Sequence, residues 1–160
     1  MHLQSCYAKA KHIVVADGSA PYRSLIKVAF GSEGGWYNIT EAEHYRAALS
    51  LLRAYKVHLL ILADEIDGVS GIDVVHQIRS GQAGCKPDIP IIVLTDPKGI
   101  ASLGAALHDE AMAAGATACV SKPLSIKQLA PPIFSVLHHH QAIGAVRDQK
   151  RNRVSGAEYL

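Results

Sequence analysis

The sequence is short of cysteine, of aromatic rings and of charge of either sign. Its three cysteines, Cys6, Cys85 and Cys119, are odd in number and form no CxxC pair. That excludes a disulfide framework or a zinc ribbon as the organising principle and fits a reducing compartment. Aromatic residues make up 6%, so Val, Ile, Leu and Ala must fill the core. A net charge of +2 gives no electrostatic ground for expecting nucleic acid. No apolar run reaches the about 18 residues that a membrane helix needs. The opening stretch MHLQSCYAKAKH is mixed polar and lacks the apolar centre of a signal peptide. The expectation is a cytoplasmic protein with no membrane partner.

What is present is globular. Hydrophobic residues are 49% and charged residues 19% of 160, which suits a single core. KHIVVAD (11–17) reads as a first strand. GSAPYRSLIKVAFG then carries Tyr22, Leu25, Ile26 and Ala29 at helical spacing, with Ser19 as N-cap and Pro21 in the first turn. WYNIT (36–40) is a less apolar strand, expected near an edge, and 41–55 a helix with Ala48, Leu51 and Leu52 inward. HLLILA (58–63), DIPIIVLTD (88–96) and TACVS (117–121) read as the third to fifth strands. Helices are expected over 71–81, 100–115 and 125–140, the last opened by Ser125 and Gln128 at capping-box spacing. Pro131 and Pro132 should kink that helix or restart it.

Strands alternating with helices, the central ones apolar throughout, predict an α/β fold: a doubly wound parallel sheet in a three-layer sandwich. In such folds chemistry sits at the carboxyl ends of the strands. Those ends offer Asp17, Ala63 with Asp64, Thr95 and Lys122. The domain is expected over 1–140. Residues 141–160 lose apolar periodicity, carry Arg147, Lys150, Arg151 and Arg153, and read as a basic extension or tail.

Five pieces in order, HIVVAD, YNITEAEHYRAAL, HLLILADEIDGVSGIDVVHQIR, IPIIVLT and AGATACVSKPL, resemble the receiver domain of two-component response regulators. The resemblance covers about residues 11 to 137 and implies a flavodoxin-like (βα)5 fold. It also implies a pocket in which a third-strand aspartate accepts a phosphoryl group from a histidine kinase. Mg²⁺ is held there by that aspartate and a first-strand acidic pair. A fourth-strand hydroxyl and a fifth-strand lysine bind the same oxygens. Thr95, Lys122 and Pro123 match the hydroxyl and the Lys-Pro signature.

The departures are as informative as the matches. Counting back from Gly71, the acceptor position is Ala63, and the first member of the acidic pair is Ala16, which leaves Asp17. A methyl group can neither attack phosphorus nor bind a metal. Asp17 is free to pair with Lys122 and hold the pocket in one state. Asp64 follows Ala63 and would point to the opposite face of the strand. The alternative makes Asp64 the phosphoacceptor and, with Asp17, the Mg²⁺ ligand; otherwise no cofactor is expected. Glu65 and Asp67 read as solvated loop acids. Where the family has an aromatic residue three before the lysine, this chain has Cys119.

Other constellations carry less. Consecutive helical residues point about 100° apart, so His138, His139 and His140 cannot share one metal well. GSEGG and GSA make neither a GxGxxG nor a P-loop, so a nucleotide or flavin binder is unsupported. Cys85 is expected to be exposed and incidental. The expected function is that of a degenerate, stand-alone receiver that is not an enzyme. It would act by protein–protein contact with a histidine kinase, a response regulator or another signalling protein. The resemblance also allows a homodimer through the fourth helix, fifth strand and fifth helix.

Overall fold

The computed structural model describes residues 10–32, 36–96, 101–122 and 125–139, with the backbone alone for 101–104. The central strands are β1 (Lys11–Ala16), β2 (Tyr37–Ala42), β3 (Leu59–Ala63), β6 (Ile91–Thr95) and β7 (Ala118–Ser121). They form one parallel sheet in the order β2-β1-β3-β6-β7. The helices are α1 (Ala20–Gly31), α2 (Tyr45–Ala54), α3 (Gly71–Arg79), α4 (Ala101–Ala114) and α5 (126–139). A short hairpin, β4 (Glu65–Ile66) with β5 (Val69–Ser70), fills the passage from β3 to α3, where the sequence reads as a plain loop.

Alternation along the strands divides the core. Ile13, Val15, Leu59, Ile61, Ile92 and Leu94 face α1 and α5, which contribute Ile26, Ala29, Phe30, Leu129, Ile133 and Leu137. Val14, Leu60, Leu62, Ile91 and Val93 face α2, α3 and α4, with Leu49, Leu52, Val74, Val75, Ile78 and Ala111 among the partners. All of β3 and β6 is buried, as strands covered on both faces require. The chain runs outward from β1 to β2, returns to β3 and continues the other way. The strand order therefore reverses between β1 and β3, and their carboxyl ends flank the crevice at that switch point.

Several boundaries differ from the sequence expectation. β2 runs on to Ala42 and α2 begins only at Tyr45, because Glu41 and Ala42 pair with Val15 and Ala16 instead of entering the helix. Leu51 is half-buried, and Leu49 takes an inward place beside Ala48 and Leu52. Phe30 is fully buried, with edge contacts to Tyr37 and Phe134. Ser19 stands at the N-cap of α1 but makes no side-chain cap. Helix α5 runs on through Pro131 and Pro132 and does not restart there; its buried Leu129, Ile133 and Leu137 bracket the prolines on the core face. Residues 141–160 and His140 lie outside the described residues. No helix among the described residues is long and apolar enough to cross a membrane.

Candidate functional site

Three backbone bonds carry the sheet ladders one residue past the strands. Asp17 N–H donates to Ala42 O, Asp64 N–H to Leu94 O and Lys122 N–H to Thr95 O. Side-chain alternation is therefore maintained to these residues. Asp17 and Lys122 continue the rows of Ile13, Val15 and of Ala118, Val120, on the α1/α5 side. Ala63 continues the row of Leu59 and Ile61 on that same side, and Asp64 falls in the opposite row with Leu60 and Leu62.

Asp17 is the hub. Its Oδ2 lies 3.0 Å from Lys122 Nζ, and both side chains are almost fully buried, at 3% and 8% exposure. Oδ2 meets the ammonium as an ion pair and has no hydrogen-bond partner among the described residues. Oδ1 accepts the Ser19 N–H at 2.8 Å, an Asx-type turn that feeds the chain into α1. The Asp17 carbonyl accepts from Arg23 Nη1 at 2.7 Å. Arg23 Nε in turn donates to Glu41 Oε1 at 3.2 Å, and Lys27 reaches Glu41 Oε2 at 3.0 Å. Those two cations hold the Glu41 carboxyl below its ordinary pKa.

Lys122 has a second partner. Its Nζ stands 4.4 Å from the centre of the Tyr22 ring, a cation–π contact. The sequence assigns Tyr22 to the apolar stripe of the first helix; in the structure it is half-buried beside the lysine. Tyr22 and Arg23 escape a reading by motif. Their only signal is position, five and six residues after Asp17 at the start of α1.

Thr95 is buried, and its hydroxyl donates to Val120 O at 3.5 Å. It lies in the row of Ile91 and Val93, beside half-buried Cys119. Burial first, then the nearby Asp64 charge, pushes the Cys119 thiol up, with partial relief from a bond to Thr95. A thiol so placed is a weak nucleophile. Asp64 is half-buried, and its Oδ2 accepts the Asp96 N–H at 3.0 Å. The structure thus joins Asp17 to Lys122 and groups Thr95, Cys119 and Asp64 on the other side. Pro123 lies outside the described residues.

The loop after Ala63 is fixed by Gly71. Its N–H donates to Asp64 O at 2.7 Å, and a Cβ there would fall on the Ala63 carbonyl oxygen. Asp67, expected to be a solvated acid, holds the hairpin to α2. Its carboxylate reaches His44 Nδ1 at 2.9 Å and accepts the Tyr45 N–H at 3.2 Å, an orphan donor at the start of that helix. The pair raises the His44 pKa and lowers that of Asp67. Glu65 is exposed. Cys85, expected to be exposed, is half-buried, which raises its pKa.

The receiver family implies Mg²⁺ in this crevice, and the donors present do not fit it. Asp17 offers one carboxylate, with one oxygen committed to Ser19 and the other facing an ammonium. Ala63 offers none. Among the described residues, no three of His, Cys, Asp and Glu stand together as metal ligands would.

Comparison with known proteins agrees with the fold. The sequence model of the response regulator receiver domain matches residues 13–133. The phosphate regulon transcriptional regulatory protein PhoB of Pseudomonas aeruginosa is 31% identical over 127 residues, 79% of this chain and 52% of that protein. The probable transcriptional regulatory protein TcrX of Mycobacterium tuberculosis is 27% identical over 73% of this chain and 45% of its own length. The chain thus spans about half the length of these curated relatives. Among solved structures, the chemotaxis response regulator CheY4 of Vibrio cholerae superposes with a TM-score of 0.66 at 19% identity, covering 80% of this chain and 99% of that one. NtrX of Brucella abortus gives 0.73 at 19% identity, over 88% of this chain and 29% of that one. With a five-stranded parallel sheet in the order 2-1-3-4-5, counted without the hairpin, and a family match over three quarters of its length, the chain belongs to the response regulator receiver domains.

Proposed function

We propose that this receiver domain works in two-component signalling by protein–protein contact, without phosphoryl transfer and without Mg²⁺. The observation that carries the reading is the Asp17–Lys122 ion pair beside a strand end that carries Ala63. In an acceptor pocket, a carboxylate oxygen attacks phosphorus and cations compensate the charge that builds on the phosphoryl oxygens. Here the nucleophile is a methyl group, and the lysine's charge is already compensated by Asp17. Such a pocket has one resting arrangement and no chemistry to leave it. The domain would act in the cytoplasm as an adaptor or inhibitor toward a histidine kinase, a response regulator or another signalling protein. It would not be an enzyme.

A second reading rests on Asp64, a half-buried carboxylate at the carboxyl end of the central strand. There its oxygen would attack the phosphorus of a donor as the bond to the leaving group breaks, with Mg²⁺ required. The row it shares with Leu60 and Leu62 turns it from Lys122, which favours the first reading.

Intact-mass spectrometry after incubation with a small phosphodonor and Mg²⁺ tests the choice. The expected spectrum has no phosphoryl adduct. An adduct that is lost in Asp64→Ala would establish the second reading.

A further inference from the structure

The end of the sheet opposite the pocket holds two histidines in a reciprocal bond. His58 N–H donates to His12 O at 2.8 Å, and His12 N–H donates to His58 Nδ1 at 3.0 Å. The ring nitrogen takes the place of a ladder carbonyl, because β3 begins only at Leu59. A ring nitrogen that accepts carries no proton, so the His58 proton sits on Nε2 and the ring is neutral. His12 is tied on its other side. Its Nε2 lies 2.9 Å from Thr40 Oγ1 of β2, and its ring meets that of Tyr55, at the end of α2, edge-on at 5.4 Å. The starts of β1 and β3 are thereby joined to each other through one imidazole and to β2 and α2 through a second.

The two histidines answer a proton differently. Thr40 presents a hydroxyl, which both donates and accepts, so its contact with His12 survives in either charge state. The partner of His58 Nδ1 is a backbone N–H, which only donates. A proton on Nδ1 sets two donors against each other and strips a half-buried residue's amide of its acceptor. The groups that face the pair are Lys11 of β1, Lys56 of the turn before β3 and Tyr55 of α2. Burial first, then the charges of Lys11 and Lys56, lowers the His58 pKa, and the His12 backbone pulls weakly the other way. Burial lowers that of His12 as well.

From this geometry we propose that His58 is a proton-operated latch on the start of β1. Neutral, it holds the His12 amide and closes the junction between β1 and β3. Protonated, it releases that amide and lets the start of β1 part from β3. The latch is closed above pH 6.5 and opens as the pH falls through the lowered His58 value. The pairs that follow, from Ile13 with Leu59 to Ala16 with Leu62, contain no titratable side chain, so the opening stops there. The latch is independent of the reading above. Phosphoryl uptake at Asp64 would end that reading and leave the latch as it is.

The test is amide hydrogen exchange of the full chain, read residue by residue by NMR from about pH 8 down through the His58 midpoint. Each rate is divided into that of an unstructured amide at the same pH, and the His58 ring resonances supply the midpoint. Protection of the His12 amide should hold at neutral pH and fall by roughly ten-fold or more as His58 titrates, while Ile61 in mid-β3 keeps its protection. His58→Asn sets an acceptor oxygen near the Nδ1 position and cannot be charged; its His12 amide should stay protected throughout. His58→Phe keeps a ring without an acceptor, and its His12 amide should be unprotected at every pH. Protection in the wild type that ignores the His58 midpoint would overturn the proposal. So would the same acid loss in His58→Asn, full protection in His58→Phe, or an equal loss at Ile61, which would assign the change to the whole sheet.

Discussion

Asp17 and Lys122 face each other across the ends of β3 and β6, the two strands that separate β1 from β7 in the sheet, 3.0 Å apart and almost out of reach of water. The sheet brings them together because the ladders of β1 and β7 each continue one residue beyond the strand, through Ala42 O and Thr95 O. Attraction between charges is strong in so dry a place, and so is the cost of leaving either charge alone.

Lys122→Ala should therefore destabilise the domain by about 3–5 kcal/mol, because Asp17 is left buried and unpaired. Asp17→Asn combined with Lys122→Met should recover most of that loss, since neither charge remains to be desolvated. Denaturant unfolding of the two single variants and the double variant checks this. Losses that simply add would deny the coupling.

The hairpin clamp should show itself in pH. Hydrogen bonding and attraction from Asp67 raise the His44 pKa above the usual 6.5. Its contribution is complete below pH 6.5 and fades as pH rises through the raised value. Asp67 is depressed by His44, so its contribution holds above its ordinary value and fades as pH falls through the lowered one. The clamp should be tightest in mildly acidic solution. His12 and His58 run the other way: burial lowers both, and their contribution is present above 6.5 and lost as pH drops. Titration of the histidine ring resonances checks each sign. The His44 midpoint should fall in Asp67→Asn while those of His12 and His58 stay in place.

Gly71→Ala should cost about 2 kcal/mol or more, because a Cβ would collide with the Ala63 carbonyl that ends β3. The neighbouring Gly68→Ala has open space but a φ of 72°, so its cost should be nearer 1 kcal/mol, from backbone strain alone. Thermal unfolding of the pair separates collision from strain.

The interior of the fold was legible because β3 and β6 are apolar on both faces, which only a covered parallel sheet explains. The edges were not. Glu41 and Ala42 look helical, and they extend β2 because the ladder to β1 and the Arg23 and Lys27 partners outweigh local propensity. Asp67 looks like any loop acid until the hairpin turns at its positive φ of 55° and aims its carboxylate at α2. In the pocket, Asp17 and Lys122 could be read from strand ends and the Lys-Pro signature. Tyr22 and Arg23 could not, because their roles arise from where the first turns of α1 pass Asp17. Thr95 was legible as a pocket residue by position, yet its hydroxyl turns to Val120 and its side chain lies toward Cys119.

The account rests on a pocket that is already complete. Its most direct test is to follow the side-chain resonances of Asp17 and Lys122 by NMR while Mg²⁺ and a small phosphodonor are added to the wild-type chain. The account predicts resonances that stay where they began. Displacement of both that is abolished by Asp64→Ala would contradict it.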